Sequence, residues 1–133
     1  MIKLQYYVTA CSNDAMQYAV LAAFNEAYDY PAEMTQEFQA RRDLICERLN
    51  AMPGVSCHVP EGAFYVFPKV DIPGMNSEEV AMELLKGGVL CSPGTAFGES
   101  GEGPLRFAYT IGREDISRGM DKVEKVLSKL RDE

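Results

Sequence analysis

The stretch Cys91–Thr110, CSPGTAFGESGEGPLRFAYT, places four glycines ahead of a short aromatic run that contains one arginine. Glycine at that density lets a backbone approach a neighbour closely, or turn through angles that other residues avoid. Beyond it, LRFAYTI sets Leu105, Phe107 and Tyr109 on one face of a strand and Arg106, Ala108 and Thr110 on the other. The apolar face belongs to a core, so Arg106 looks the other way.

Working outward, Ile116, Met120, Val123, Leu127 and Leu130 recur at helical spacing, with Glu114 and Asp115 at the positive end of the helix dipole. Upstream of the glycines, VLCSP reads as a strand. SEEVAMELLK reads as a helix capped by Asn76 or Ser77 and closed by Gly87-Gly88 as a left-handed cap would close it. The runs VSCHVP and AFYVFPKV, separated by Glu61-Gly62, read as paired strands, with Pro68 at an edge or a strand end. Two helices come first. One runs from Asp14 to about Tyr28, with Asp14 and Gln17 in capping-box relation. The other starts near Pro31, carries Met34, Phe38, Ile45, Leu49 and Met52 on one face, and ends at Pro53-Gly54.

The resulting order is α-α-β-β-α-β-β-α. It predicts an α+β fold in which helices pack on a small mixed or antiparallel sheet of about four short strands. The helix from Asp14 is apolar on more than one side with no strand before it, which points to a chain that is part of something larger.

At 133 residues the length suits one domain. With 20 acidic against 13 basic side chains the net charge is -7, which argues against nucleic acid and anionic membrane as partners. No apolar run is long enough to span a bilayer, and MIKLQYYVTACSNDA lacks the apolar stretch and cleavage site of a secretory signal. Cys11, Cys46, Cys57 and Cys91 stand 35, 11 and 34 residues apart, and His58 is the only histidine, so no metal site of known spacing exists. These cysteines read as reduced, mostly buried thiols of a cytoplasmic protein.

The glycine loop fits no common phosphate or nucleophile motif. Pro104 stands where a Walker loop needs lysine, Glu102 breaks the pattern of a nucleophile elbow, and the loop leads into a strand where a dinucleotide fingerprint needs a helix. Arg106 remains. Its planar, permanently charged fork is either a surface arginine paired with Glu99 or Glu102, or a clamp for a carboxylate.

Three blocks, FQARRDLICERLN from Phe38, EGAFYVFPKV from Glu61 and CSPGTAFGESGEGPLRFAYT from Cys91, together resemble the C-terminal part of class I pyridoxal-phosphate aminotransferases of the aspartate aminotransferase type. The preceding KLQYYVTACSNDAMQYAVLAAF is similar to the segment just after the family's cofactor lysine, so the resemblance covers essentially the whole chain. It implies a single domain over 1–133, with the helical part of 1–30 on the side of the large or interdomain region and 31–133 as the small domain. Arg106 matches the arginine that binds the α-carboxylate of the amino or 2-oxo acid. Phe64 matches an aromatic on the substrate side of the cleft, while Pro93-Gly94 and Phe97-Gly98 match the loop at the domain's inner edge.

The family's Schiff-base lysine motif has no counterpart here, since Lys3, Lys69, Lys86, Lys122, Lys125 and Lys129 lack its context. The resemblance therefore implies an aminotransferase that uses pyridoxal 5'-phosphate and forms a homodimer as the whole protein. It implies no catalytic, cofactor-binding or metal-binding residue in these 133 residues, no cofactor bound to them, and no activity from them alone. Two other readings stand beside it: a free-standing carboxylate-binding or regulatory α+β module, and a dimerisation module built on the apolar helix at 14–28.

Overall fold

The computed structural model describes residues 2–26 and 29–132, so Ala27 and Tyr28, at the end of the expected first helix, lie outside the described residues. The chain divides into two compact units, one ending at Gln36 and the other beginning at Glu37.

The first unit holds α1 (Ile2–Thr9), α2 (Asp14–Glu26) and the start of α3 (Tyr30–Asn50). Helix α1 was not foreseen, because IKLQYYVT is rich in residues that favour strands. Neither α1 nor α2 buries a residue, and Ile2, Tyr7, Tyr18 and Phe24 are among their exposed apolar side chains. The cap of α2 also differs from expectation. It lies one residue earlier, at Asn13, whose carbonyl receives the Gln17 N–H and whose side chain receives the Met16 N–H. Asp14 is instead the first helical residue, where its charge meets the positive end of the dipole.

The second unit holds the rest of α3, then β1 (Val55–Ser56), β2 (Tyr65–Val66), β3 (Lys69–Val70), α4 (Ser77–Lys86), β4 (Ser92–Pro93), β5 (Leu105–Ala108) and α5 (Arg113–Asp132). Two 3-10 turns, Gly94–Phe97 and Glu99–Gly101, lie between β4 and β5. The class is α+β, with every strand pair antiparallel. The strands number five among the described residues, not four, and form two sheets ordered β1-β3 and β2-β5-β4.

Pro68 causes this division. It breaks AFYVFPKV into β2 and β3, so that Val55 pairs with Val70 while Val66 pairs with Phe107. Proline has no N–H to give a ladder, but its carbonyl receives the Leu105 N–H at 2.9 Å, which keeps the broken strand alongside β5.

The core collects Ile45, Cys46 and Leu49 of α3, Val66 of β2, Val80 and Leu84 of α4, Leu105 and Phe107 of β5, and Ile116, Met120, Val123 and Leu127 of α5. Helix α3 ends at Asn50, short of Pro53-Gly54. Asn50 exchanges two hydrogen bonds with the backbone of Cys57, at 2.8 and 2.9 Å, and so ties the helix end to the segment after β1. Helix α4 carries a complete capping box from Asn76 to Glu79, and Gly88 after it has φ of +80°, the left-handed geometry its sequence called for.

Candidate functional site

Strand β5 fulfils its alternation: Leu105, Phe107 and Tyr109 are buried, while Arg106 lies half-buried on the opposite face. On β2, Val66 points inward and Tyr65 is on the outer face, so Tyr65 and Arg106 share one side of the sheet. The chain between Gly94 and Gly103 brings a third group to that side.

This loop approaches itself. A Cβ on Gly94 would lie 2.0 Å from the carbonyl oxygen of Gly101, and one on Gly101 would lie 2.0 Å from that of Gly94. The two turns are thus pressed back to back with no room for a side chain between them. Gly98 and Gly103 serve differently, with φ of +129° and +99°. Glu102 then fastens the loop to the start of α4, accepting from the Ser77 N–H at 2.7 Å, the Ser77 hydroxyl at 3.1 Å and the Gly103 N–H at 2.9 Å. Thr95 adds a bond from its hydroxyl to Glu78.

Held this way, Phe97 comes to rest over Arg106. The guanidinium carbon lies 4.6 Å from the Phe97 ring centre and 5.3 Å from that of Tyr65. No carboxylate among the described residues pairs with Arg106: Glu102 is engaged with Ser77 and Gly103, and Glu99 makes no bond to the arginine. The pairing with Glu99 or Glu102 considered from the sequence is therefore not what the chain adopts. Arg106 lies over the faces of two aromatic rings, and the N–H groups of its fork have no hydrogen-bond or ion-pair partner in the described residues.

Phe64 is 52% exposed and stands edge-on to Tyr65 at 5.4 Å, so it touches the ring beside Arg106 and is not itself stacked on the guanidinium. Its carbonyl accepts the Tyr109 N–H, and the Tyr109 hydroxyl donates to the carbonyl of Ala63 at 2.9 Å. Ala63 has φ of +66°, an uncommon backbone state for alanine that the buried tyrosine holds in place. Nothing local in the sequence singles out Tyr65, and Phe97, expected only as part of the loop at the domain's inner edge, is 52% exposed. The signal that could have found Tyr65 is the parity of β2 against β5, which puts it on the arginine's face.

The lysines supply no setting for an imine. All six are at exposed positions, whereas an imine-forming lysine needs a desolvated environment that lowers its pKa. None of the six lysines thus has the desolvated setting of an imine-forming lysine. The described residues contain no group of three or more His, Cys, Asp or Glu placed to hold a metal, and no helix long and apolar enough to cross a membrane.

Cys46 and Cys57 are buried with sulfurs 3.8 Å apart, Cys91 is half-buried and Cys11 is exposed, all as free thiols. Burial raises the pKa of each of the first three, that of Cys57 to about 12 and that of Cys91 to about 11. A groove of about 510 Å³ lined by Ile45, Val89, Phe107, Ile116 and Met120 lies elsewhere in the second unit, and neither Arg106 nor Phe97 lines it.

Comparison with known proteins gives this arrangement its context. The chain is 37% identical to an aromatic-amino-acid aminotransferase of Thermococcus litoralis over 98% of its own length and 34% of the relative's. It is 38% identical to an aspartate aminotransferase of Pyrococcus abyssi over 96% of its length and 33% of the relative's. The solved structure of an aromatic aminotransferase from Pyrococcus horikoshii superposes with a TM-score of 0.88 at 36% identity, covering 96% of this chain and 35% of that one. The chain thus spans about a third of the length of the curated relatives it matches. Residues 2–123 match the family Aminotransferase class I and II, and the chain belongs to that family.

Proposed function

We propose that these residues are the C-terminal part of an aminotransferase that moves an amino group between an amino acid and a 2-oxo acid, with Arg106 as the anchor for the substrate's α-carboxylate. The observation that carries the reading is Arg106 itself: a guanidinium lying over two aromatic rings, with no hydrogen-bond or ion-pair partner among the described residues. A bidentate guanidinium–carboxylate pair fixes both the position and the plane of its ligand. Every amino acid and every 2-oxo acid carries that carboxylate. Holding it sets the direction of the bonds at Cα, which is where amino-group transfer takes place.

In this reading residues 31–133 act as a small domain, 1–30 belong to the side of the large or interdomain region, and Phe64 lines the substrate side of the cleft through its contact with Tyr65. Pyridoxal 5'-phosphate, as the family's cofactor, supplies the electron-accepting chemistry, and residues outside this chain hold it. The whole protein works as a cytoplasmic homodimer, a compartment that suits four free thiols. Residues 1–133 alone transfer no amino group. Borohydride treatment after mixing them with pyridoxal phosphate spreads label over the exposed lysines, and stoichiometric fixation on one lysine would overturn this part of the reading.

The main test is Arg106→Lys in the whole enzyme. The charge stays but the second parallel hydrogen bond and the fixed plane are lost, a difference of about 2–4 kcal/mol. kcat/KM falls about thirty- to several-hundredfold for every amino acid alike. A variant that folds and turns over within about threefold of the parent, a difference near RT, removes Arg106 from the substrate site.

A further inference from the structure

We propose that Tyr65 and Phe97 are positioning residues for Arg106, two rings that hold its guanidinium against their faces so that its N–H groups are oriented before a carboxylate arrives. The proposal rests on the reading of Arg106 as a carboxylate anchor.

An arginine can be fixed by an acidic partner or by aromatic faces, and the two have opposite consequences. A carboxylate partner occupies the fork that a substrate needs. A ring has no acceptor for it, so stacking orders the side chain through its π faces and leaves all the donors available. Arg106 shows the second arrangement, at 4.6 Å from Phe97 and 5.3 Å from Tyr65.

The rings are themselves braced. Phe67 meets Phe97 edge-on at 5.9 Å and 84°, and Phe64 meets Tyr65 edge-on at 5.4 Å and 82°, the perpendicular contact that aromatic quadrupoles favour. Tyr65 is placed by the pairing of β2 with β5. Phe97 is placed by the glycine loop, through the contact of Gly94 with Gly101 and the bonds of Glu102 to Ser77. This gives the loop a purpose that its failed motif comparisons left open: it sets an aromatic ring over the arginine. Phe97 and Tyr65 remain 52% and 39% exposed, a use of aromatic surface that core packing does not explain.

The test uses the whole enzyme with Phe97→Leu, Phe97→Tyr, Tyr65→Leu, Tyr65→Phe, Arg106→Lys and the double variant Phe97→Leu/Arg106→Lys. Two readouts are taken: KM and kcat for L-aspartate, L-alanine and L-phenylalanine, and calorimetric dissociation constants for propanoate, maleate and 3-phenylpropanoate. Phe97→Leu and Tyr65→Leu should raise KM and the carboxylate dissociation constants about five- to tenfold with kcat changed less than about twofold, the scale of a partly desolvated cation–π contact. Phe97→Tyr and Tyr65→Phe keep the rings and stay within about twofold of the parent. In the Arg106→Lys background Phe97→Leu should cost less than about twofold, because the group it positions is gone.

Leucine variants that bind carboxylates like the parent overturn the proposal, as does an unchanged penalty in the lysine background. If Phe97→Leu fails to fold, Phe97→Tyr decides: loss of carboxylate affinity in that variant overturns the proposal, and retention supports it. Arg106→Lys separates the two levels, since a large loss there with silent ring variants leaves the anchor standing without its positioning residues, and no loss there removes both.

Discussion

The carboxylate of Glu102 takes both the backbone N–H and the hydroxyl of Ser77, so the glycine loop is fastened to the first turn of α4 by a side chain that the sequence offered as a partner for Arg106. An anion is well placed at a helix N-terminus, where free N–H groups and the dipole both favour it. Replacing Glu102 with alanine should lower the unfolding free energy of the protein by about 1–2 kcal/mol, since it leaves the N–H of nearly buried Ser77 unpaired. Urea denaturation measures this, and a change below about 0.3 kcal/mol would show that the contact does not hold the loop.

Gly94 and Gly101 should be intolerant of even one methyl group. A Cβ at either would sit 2.0 Å from a backbone oxygen, so Gly94→Ala and Gly101→Ala each cost about 3 kcal/mol or more, because the backbone has to move. Gly62 provides the control, as it has open space and an ordinary backbone state. Gly62→Ala should leave the thermal midpoint within about 2 °C of the parent.

Tyr109→Phe isolates the bond to Ala63. The ring is buried and stays packed, but the Ala63 carbonyl loses its donor, for a cost of about 1 kcal/mol. In that background Ala63→Gly should recover part of the loss, because glycine adopts the positive φ without strain. A Tyr109→Phe variant as stable as the parent would show that the hydroxyl bond contributes nothing to the GAFY turn.

The thiols predict both a reactivity order and a pH dependence. Iodoacetamide at pH 8 should modify Cys11 in the native protein, while Cys46, Cys57 and Cys91 react only on unfolding, being buried or half-buried with raised pKa. A raised thiol pKa means that the folded state holds a proton the unfolded chain gives up near pH 8.5. The associated stability is complete below that value and declines as pH climbs toward 11 and 12, the values for Cys91 and Cys57. Thermal midpoints between pH 7 and 10.5 should therefore fall at the alkaline end, and substituting serine for Cys91 should reduce the slope.

The legible parts of the fold were those whose burial writes a period into the chain. Leu105, Phe107 and Tyr109 alternate because one face of β5 is covered, and Ile116 through Leu127 repeat because one stripe of α5 is. Helix α1 buries nothing, so no periodicity marks it. The pairing of VSCHVP with AFYVFPKV was legible only in part, since β1 pairs with Lys69–Val70 alone, and the transfer of Tyr65 and Val66 to β5 depended on how Pro68 bends the chain, which no local pattern states. Arg106 stood out as a charge on a half-buried strand. Its neighbours did not, because Tyr65 and Phe97 come from distant parts of the sequence and look locally like ordinary apolar residues.

The back-to-back glycines also limit how this loop can drift. Each already carries the smallest side chain available, so damage at Gly94 has no second-site suppressor at Gly101, and the reverse holds as well. Rescue would have to come from altering the number of residues between them, which would move Phe97. Glu99 and Ser100, which lie exposed on the turn, carry no such restriction. Each of the two glycines depends on the other's lack of a side chain.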